Sequence, residues 1–296
     1  MRPDVCFVVP SYKSRATIRA TLDSIFAQQT DKSVEALVVE SSGDDTADWL
    51  GKLYPQLQVV KSKQRLFAGA ARNLGARRAR ADLMAFLDAD AVAAPDWLQT
   101  LLATFSVRPD LSLIGGAVAN ANPDSLSGLI LYWLEFSEYL PGLPSGPRAA
   151  LSSSNLLLRR EEFLARGGFD ENYGMAEDLL LCRQWQSGFH FEGRAVIRHR
   201  QRTGWHNVRL HLTDLGYWSG RYRASHQTSG SWLRAFPALS YALPFLRAPR
   251  ILLRLWRSSW QDGLRGIVLF PAVIWGLFCW ARGFQKGLRS GNHANC

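Results

Sequence analysis

A chain of 296 residues that is 47% hydrophobic holds enough apolar material for one large α/β domain with an appended segment, and needs no covalent staple. Its four cysteines, Cys6, Cys182, Cys279 and Cys296, form no CxxC pair and no cysteine–histidine cluster at zinc spacing, which excludes a disulfide framework and a structural zinc site. The net charge of +10 is a property of the tail, where 16 Lys or Arg from Arg194 onward face only Asp214 and Asp262, while the first 193 residues carry 19 basic and 23 acidic groups.

Val5–Val9 reads as a buried strand closed by Pro10, Ser11 and Tyr12, and Ile18, Leu22, Ile25 and Phe26 then share one helical face. The order repeats. Ala36–Val39 is a strand, Glu40 to Asp45 its exit loop, and Thr46 opens a helix with Trp49 and Leu50. A third strand falls at Gln58–Val60, a helix runs from Ala70 to Ala79, and a fourth strand, Leu83–Leu87, ends directly at Asp88. Short apolar strands alternating with helices predict a doubly wound, mostly parallel sheet, in which ligands bind beyond the carboxyl ends of the strands. Glu40 and Asp88 both stand at such ends.

A helix begins near Pro95–Leu98 and is followed by the apolar stretch Leu113–Val118. From Asn120 to Leu151 four prolines interrupt the pattern, and periodicity survives only near Leu129 to Phe136. The segment reads either as an excursion that shapes the substrate side or as a surface loop. Leu156–Leu158 is a short strand, Gly167 to Asp170 a turn, Glu177 and Asp178 open a helix that Gly188 stops, and Val196–Ile197 is a last short strand before His199. The compact domain is expected to span residues 1–200.

Residues 201–296 form a second segment holding seven of the eleven tryptophans. Arg250, Arg254, Arg257 and Arg265 interleave with Ile251, Leu252, Leu255, Trp256 and Leu264, the pattern of an amphipathic helix lying on a membrane. Basic residues among large aromatics suit an anionic lipid surface, and no recognised nucleic-acid module accompanies them. The sixteen-residue uncharged stretch Gly266–Ala281 falls short of the roughly 17 residues a crossing requires. It reads as a re-entrant or interfacial hairpin, or as buried helices packed on the catalytic domain or on a second copy of the chain in a homo-oligomer.

Asp88-Ala89-Asp90 places two carboxylates one residue apart at a strand end, where their repulsion calls for a cation; Mg²⁺ or Mn²⁺ takes such ligands together with substrate phosphates. With its neighbours this pair resembles the family 2 glycosyltransferases, inverting enzymes of the GT-A fold, over roughly residues 3–200. The likeness rests on Val8-Val9-Pro10-Ser11-Tyr12-Lys13, on Ala68-Gly69-Ala70-Ala71-Arg72-Asn73-Leu74-Gly75, on Asp88-Ala89-Asp90, and on Gly167-Gly168-Phe169-Asp170-Glu171 followed by Glu177-Asp178.

The resemblance implies a nucleoside diphosphate sugar, a UDP-sugar, as donor. It implies that Pro10 and Tyr12 line the base, with Tyr12 against the uridine ring. Glu40 stands where the family has an Asp that hydrogen-bonds the base, although the usual Asp-Asp-Gly-Ser run is here Glu40-Ser41-Ser42-Gly43-Asp44. Arg72 and Asp88 would meet the diphosphate, Asp88, Asp90 and His199 the metal, and Asn155, Gly115 and Gly116 the sugar region. Asp178 would take the proton of the acceptor hydroxyl, with Glu177 beside it. His206 and His211 are weaker rivals of His199, and Arg221 or Arg223 could meet a lipid phosphate or simply anchor at headgroups.

The implied acceptor is a hydroxyl of a lipid-linked saccharide or glycolipid. Transfer onto polyprenyl phosphate and a non-catalytic nucleotide-sugar-binding scaffold are the alternatives. Val5–Pro10 breaks too soon to act as a secretory signal, which places the work at the cytoplasmic face of a membrane, the chain being peripheral or monotopic with one inserted hairpin at most.

Overall fold

The computed structural model describes residues 2–185, 188–226 and 228–290, so Cys296 lies outside the described residues. The chain divides into two compact units, Met1–Ala119 with Pro144–His199, and Asn120–Leu143 with Arg200–Cys296.

In the first unit, strands β1 (Val5–Ser11), β2 (Val34–Glu40), β3 (Gln58–Lys61) and β4 (Leu83–Leu87) alternate with helices α1 (Ile18–Phe26), α2 (Thr46–Leu53) and α3 (Ala68–Arg78). Beyond them lie β5 (Ala91–Ala93), α4 (Trp97–Val107) and β6 (Leu113–Asn120). Helix α5 (Leu126–Phe136) belongs to the second unit, and the chain then returns to the first through β7 (Gly146–Pro147), β8 (Asn155–Arg159), α6 (Arg160–Ala165), α7 (Glu177–Trp185) and β9 (Phe189–His199). Val5 to Val9, Leu37 to Val39 and Met84 to Leu87 are all fully buried, as strands covered on both faces must be. Gly75 lets α3 lie on this sheet: a Cβ there would stand 2.3 Å from Val8 Cγ1.

The sheet order is β3-β2-β1-β4-β8-β6-β9-β5, with β7 paired to β9. The first four strands are parallel, but β8 runs antiparallel to both β4 and β6, and β9 antiparallel to β5 and β7. The expected mostly parallel sheet is therefore a mixed one. β8 returns after a long connection rather than through a single crossover helix, so nothing obliges it to run parallel. β9 is also longer than Val196–Ile197. Its first half carries Glu192 and Arg194, ion-paired at 2.9 Å, and these charges hide the strand from an apolar pattern.

In the second unit, α8 (Trp205–His226) is followed by two short 3₁₀ turns, Ser231–Arg234 and Pro237–Ala242. Then come α9 (Leu243–Ser258), α10 (Trp260–Val268) and α11 (Phe270–Ser290). Helix α5 packs here against α8, α9 and α11, with Ile130, Leu131 and Trp133 buried. The stretch read as an excursion or a surface loop thus supplies a core helix. Helices α8 and α11 meet backbone to backbone: a Cβ on Gly216 would lie 2.0 Å from the Trp280 carbonyl oxygen, and one on Gly283 1.8 Å from that of Thr213. The amphipathic stretch around Arg250–Leu264 is two helices broken at Ser259. Among the described residues no single helix is long and apolar enough to cross a membrane; Trp260–Val268 and Phe270–Ser290 meet that test only together, and they are bent by 76°. Cys6 and Cys182 are free, buried thiols, and burial pushes Cys182 up to about 12.

Candidate active site

Strand ends assemble the acidic cluster. β4 stops at Leu87, Asp88-Ala89-Asp90 forms the turn, and β5 begins at Ala91, whose N–H donates to the Asp88 carbonyl at 3.0 Å. β9 pairs with β5 so that His199 lies opposite Ala91. Its Nε2 stands 3.2 Å from Asp90 Oδ1 and 3.7 Å from Asp88 Oδ2. One ligand atom from each of the three residues falls within 4.8 Å of the others. Two carboxylate oxygens and an imidazole nitrogen form a donor set that fits a divalent cation such as Mn²⁺ or Mg²⁺.

A second acidic pair lies across one guanidinium. Arg72, on α3, directs Nη2 to Asp88 Oδ1 at 2.5 Å and Nη1 to Glu177 Oε1 at 3.1 Å, and its side chain is only 2% exposed. It sits between the rings of Phe86 and Phe169, 5.9 and 5.6 Å from their centroids. With each terminal nitrogen bonded to a carboxylate, Arg72 joins the Asp88 cluster to the start of α7. Gly69 permits this approach, since a Cβ there would meet Phe169 at 3.1 Å and Glu177 at 3.3 Å.

The next residue, Asn73, holds the other end of the turn. Its amide donates to the Phe169 carbonyl at 2.8 Å and accepts from the Phe169 N–H at 2.8 Å, and it donates to Glu171 at 2.9 Å. Gly168 (φ +70°) passes so close that a Cβ would lie 2.4 Å from Asn73 Oδ1. Ala176, just before the acidic pair, also has a positive φ of 67°, a strained setting for a residue with a side chain. Together these contacts fix where Glu177 and Asp178 point.

Burial pushes Asp178 up to about 7, and the neighbouring Glu177 charge adds to the effect. Burial raises Glu177 as well, against the opposing Arg72 charge. Asp88 moves the other way: burial would raise it, but Arg72 and His199 together outweigh that and hold it below the usual carboxylate range. The two acidic groups flanking Arg72 therefore differ in proton affinity. Asp178 accepts the Leu179 N–H at 2.8 Å, and Ser153 donates to Glu177 at 3.4 Å.

Other expected residues lie elsewhere in the network. Glu40, opposite Ser11 in the β1–β2 ladder, is 3% exposed. One of its carboxylate oxygens accepts from the Ser11 hydroxyl and the other from the Ser42 N–H at 2.6 Å. Ser42 Oγ in turn accepts from the N–H of Lys13, whose φ is +53°. Glu40 thus braces the Tyr12 loop through Ser11 and Ser42. Tyr12 is 37% exposed beneath Arg65, 4.6 Å from its ring centroid, and Arg65 also lies 5.4 Å from the Phe67 ring. Pro10 is a β1 residue opposite Val39.

Asn155 lies opposite Leu87, one residue before Asp88, and is fully buried, accepting from Trp97 Nε1 at 2.7 Å and donating to the Ala117 carbonyl at 2.8 Å. Gly116 serves the same packing, because a Cβ there would stand 2.1 Å from the Ala195 carbonyl oxygen and 2.7 Å from the Asn155 amide. His211 pairs with Glu135 in the second unit, and His206 is exposed. Asn73, Ser153, Arg65 and Phe67 were absent from the expected set. Phe67 and Asn73 lie at the start and middle of the segment that carries Arg72, and Ser153 in the run before Asn155, the signs that could have drawn attention to them; Arg65 carries no distinguishing spacing.

Comparison with known proteins bears on this arrangement. Residues 6–161 match the family described as Glycosyl transferase family 2. The chain is 26% identical over 190 residues to a glucosyl-dolichyl phosphate glucuronosyltransferase of Haloferax volcanii, covering 60% of this chain and 59% of that protein. It is 33% identical over 195 residues to the succinoglycan biosynthesis protein ExoO of Rhizobium meliloti, with 60% and 54% covered. The chain thus spans little more than half the length of these relatives. Among solved structures, a mannosyltransferase, PcManGT, from Pyrobaculum calidifontis in complex with GDP-Man and Mn²⁺ superposes with a TM-score of 0.60 at 19% identity, covering 100% of this chain and 87% of that one. S. aureus TarS 1–349 in complex with UDP-GlcNAc gives 0.57 at 16% identity, with 98% and 91% covered. At these identities the likeness is one of fold, and the fold is GT-A.

Proposed function

The chain belongs to glycosyl transferase family 2, and on that premise we propose that it is a metal-dependent, inverting glycosyltransferase. It moves a sugar from a UDP carrier to a hydroxyl of a lipid-linked saccharide or glycolipid at the cytoplasmic face of a membrane. The observation that carries this reading is the single buried guanidinium, Arg72, that ties the Asp88–Asp90–His199 cluster to the Glu177–Asp178 pair.

Asp88, Asp90 and His199 would hold the cation, and the imidazole favours Mn²⁺ over Mg²⁺. A cation held there would supply charge neutralisation for a departing diphosphate. Asp178 takes the proton of the acceptor hydroxyl, and a carboxyl near 7 is well matched to that task at neutral pH. A single displacement inverts the anomeric centre, provided Asp178 faces the acceptor side. Arg72 keeps Glu177 and Asp88 in register, while Tyr12, Arg65 and Phe67 offer an aromatic and cationic surface for the base.

The lipid-linked acceptor is supported by the name of one relative, which denotes transfer to a glucosyl-dolichyl phosphate. It is also supported by the exposed Trp232, Phe236, Phe245, Leu246, Trp260 and Val268 of the basic second unit. Transfer directly onto polyprenyl phosphate would demand less of Asp178, and a non-catalytic scaffold would not need the acidic set intact.

Release of UDP and GDP from a panel of donors, with and without Mn²⁺, tests the reading on the full chain. Asp90→Ala is expected to lose metal dependence and donor binding; Asp178→Asn should keep donor binding and lose transfer. Normal transfer by Asp178→Asn would overturn the base, and donor binding that never led to release by the native chain would favour the scaffold.

A further inference from the structure

One cation beside the candidate site is held by aromatic rings alone. Arg65 lies in the segment between β3 and α3, which is pinned at its start: the Ser62 N–H donates to the Glu40 carbonyl at 2.8 Å, and the Ser62 hydroxyl to the Gln64 carbonyl at 2.7 Å. Arg65 itself makes no hydrogen bond, through main chain or side chain, among the described residues. Its guanidinium lies over two ring faces, 4.6 Å from the centroid of Tyr12 and 5.4 Å from that of Phe67. Both rings reach solvent, Tyr12 at 37% and Phe67 at 42% exposure.

No carboxylate accounts for this placement. Arg15 pairs with Asp45 and Lys61 with Asp48, but among the described residues Arg65 has no ion-pair partner. With no anion to hold it, an exposed arginine is free to extend into water. What keeps it here is the attraction of a planar, weakly hydrated cation to the faces of the two rings.

A planar, electron-poor group lying on a tyrosine face makes the kind of contact that a nucleobase makes. Every base has a π-face, and stacking on an aromatic side chain is worth on the order of 5- to 150-fold in binding, against about two- to fivefold for an exposed cation–π contact. A base that reaches these rings therefore wins them from the guanidinium.

The location suits such an exchange. Val8 of β1 lies opposite Phe86 of β4, so the Tyr12 loop and the Asp88–Asp90 turn leave neighbouring strands at one edge of the sheet. In a nucleoside diphosphate the phosphates stand one ribose away from the base, within the sweep of an arginine side chain. A displaced guanidinium meets there the oxygen pairs that its planar fork matches.

We propose that Arg65 stands in for the nucleobase on the Tyr12 and Phe67 rings and exchanges with it, the base taking the rings and the guanidinium moving to the diphosphate. The inference rests on the nucleotide-donor reading and gives one residue of that site two opposite effects. Arg65 competes with the nucleoside half of the donor and holds the phosphate half. It thereby discriminates against free nucleosides, which offer the displaced guanidinium no partner.

The test is equilibrium dialysis of the full chain, in Mn²⁺, against uridine, UDP, guanosine and GDP, scored on the pair whose diphosphate the native chain binds more tightly. In Arg65→Ala the nucleoside should bind about two- to fivefold more tightly, because the cation–π contact no longer competes for the rings. The diphosphate should bind at least about threefold more weakly, since a lost charge-assisted hydrogen bond outweighs that gain. Lys63→Ala, an exposed neighbour on the same segment, should move neither constant. Weaker binding of both ligands by Arg65→Ala would mean that the guanidinium stays in place and packs against the base, which overturns the exchange, as would two unchanged constants. An equal loss of diphosphate binding in Lys63→Ala would reduce the effect to diffuse charge and overturn it too. If the native chain binds neither diphosphate, the donor reading itself falls, an outcome distinct from diphosphate binding that Arg65→Ala leaves untouched.

Discussion

Without the Arg72 guanidinium, Asp88 and Glu177 would face one another with no cation between them, and each has few other donors. Arg72→Met is therefore expected to cost about 3–5 kcal/mol in urea unfolding, the penalty for breaking a buried pair by removing one partner. Arg72→Lys should recover only part of this, because one ammonium cannot span two carboxylates as the planar fork does. Asp178 makes a different prediction, in pH. Its folded carboxyl keeps the proton up to about 7, whereas an unfolded one releases it near 3.8. Transfer should rise with pH through about 7 as the base ionises. Stability should fall as pH rises from 3.8 to about 7, where the fold still holds a proton that the unfolded chain has released, and level off above it. Asp178→Asn removes that dependence and is expected to be the more stable protein at pH 8, by on the order of 1–3 kcal/mol. A pH series of unfolding curves for both forms checks the sign.

At the scale of elements, close approach decides more than propensity does. Gly283→Ala would drive a methyl group into the Thr213 carbonyl, on a face where two helix backbones touch, so it should destabilise the second unit by at least the 1–3 kcal/mol or so typical of overpacking. Gly51→Ala provides the contrast: nothing lies within 4 Å of a Cβ there, Gly51 is inside α2, and about 0.5–1 kcal/mol of stabilisation is expected. Thermal unfolding of the two variants should shift in opposite directions. α1 to α4 and β1 to β4 were legible in the sequence because apolar spacing reports a local period. Strand direction was not: the Leu156–Leu158 run of β8 is as apolar as β4, and only its partners reveal that it runs backwards. α5 was half legible, its helical spacing visible near Leu129–Phe136 but its destination hidden.

At the scale of the whole molecule, a truncation at Arg200 bears on the domain boundary. The sequence suggests that residues 1–200 could stand alone. In the structure that cut would strip α5 of α8, α9 and α11 and expose Ile130, Leu131 and Trp133. The truncated chain is expected to be insoluble or to aggregate, which its recovery from the soluble fraction and size-exclusion elution would check. A membrane test by truncation would then report this damage, so point substitutions are the sound route.

The sequence by itself determined the family, the acidic motifs and their order, and the division between an acidic first part and a basic, tryptophan-rich tail. These follow from residue chemistry and short spacings, which need no partner to be read. The tertiary structure alone decided what several of those residues do. Arg72 meets Glu177 across 105 positions and Asn73 meets Phe169 across 96, and the amide of Asn155 is spent inside the core. It also brought Arg65 onto the rings of Tyr12 and Phe67. Such roles depend on which distant side chain arrives opposite, and that is settled by the packing of strands and helices that no local pattern encodes.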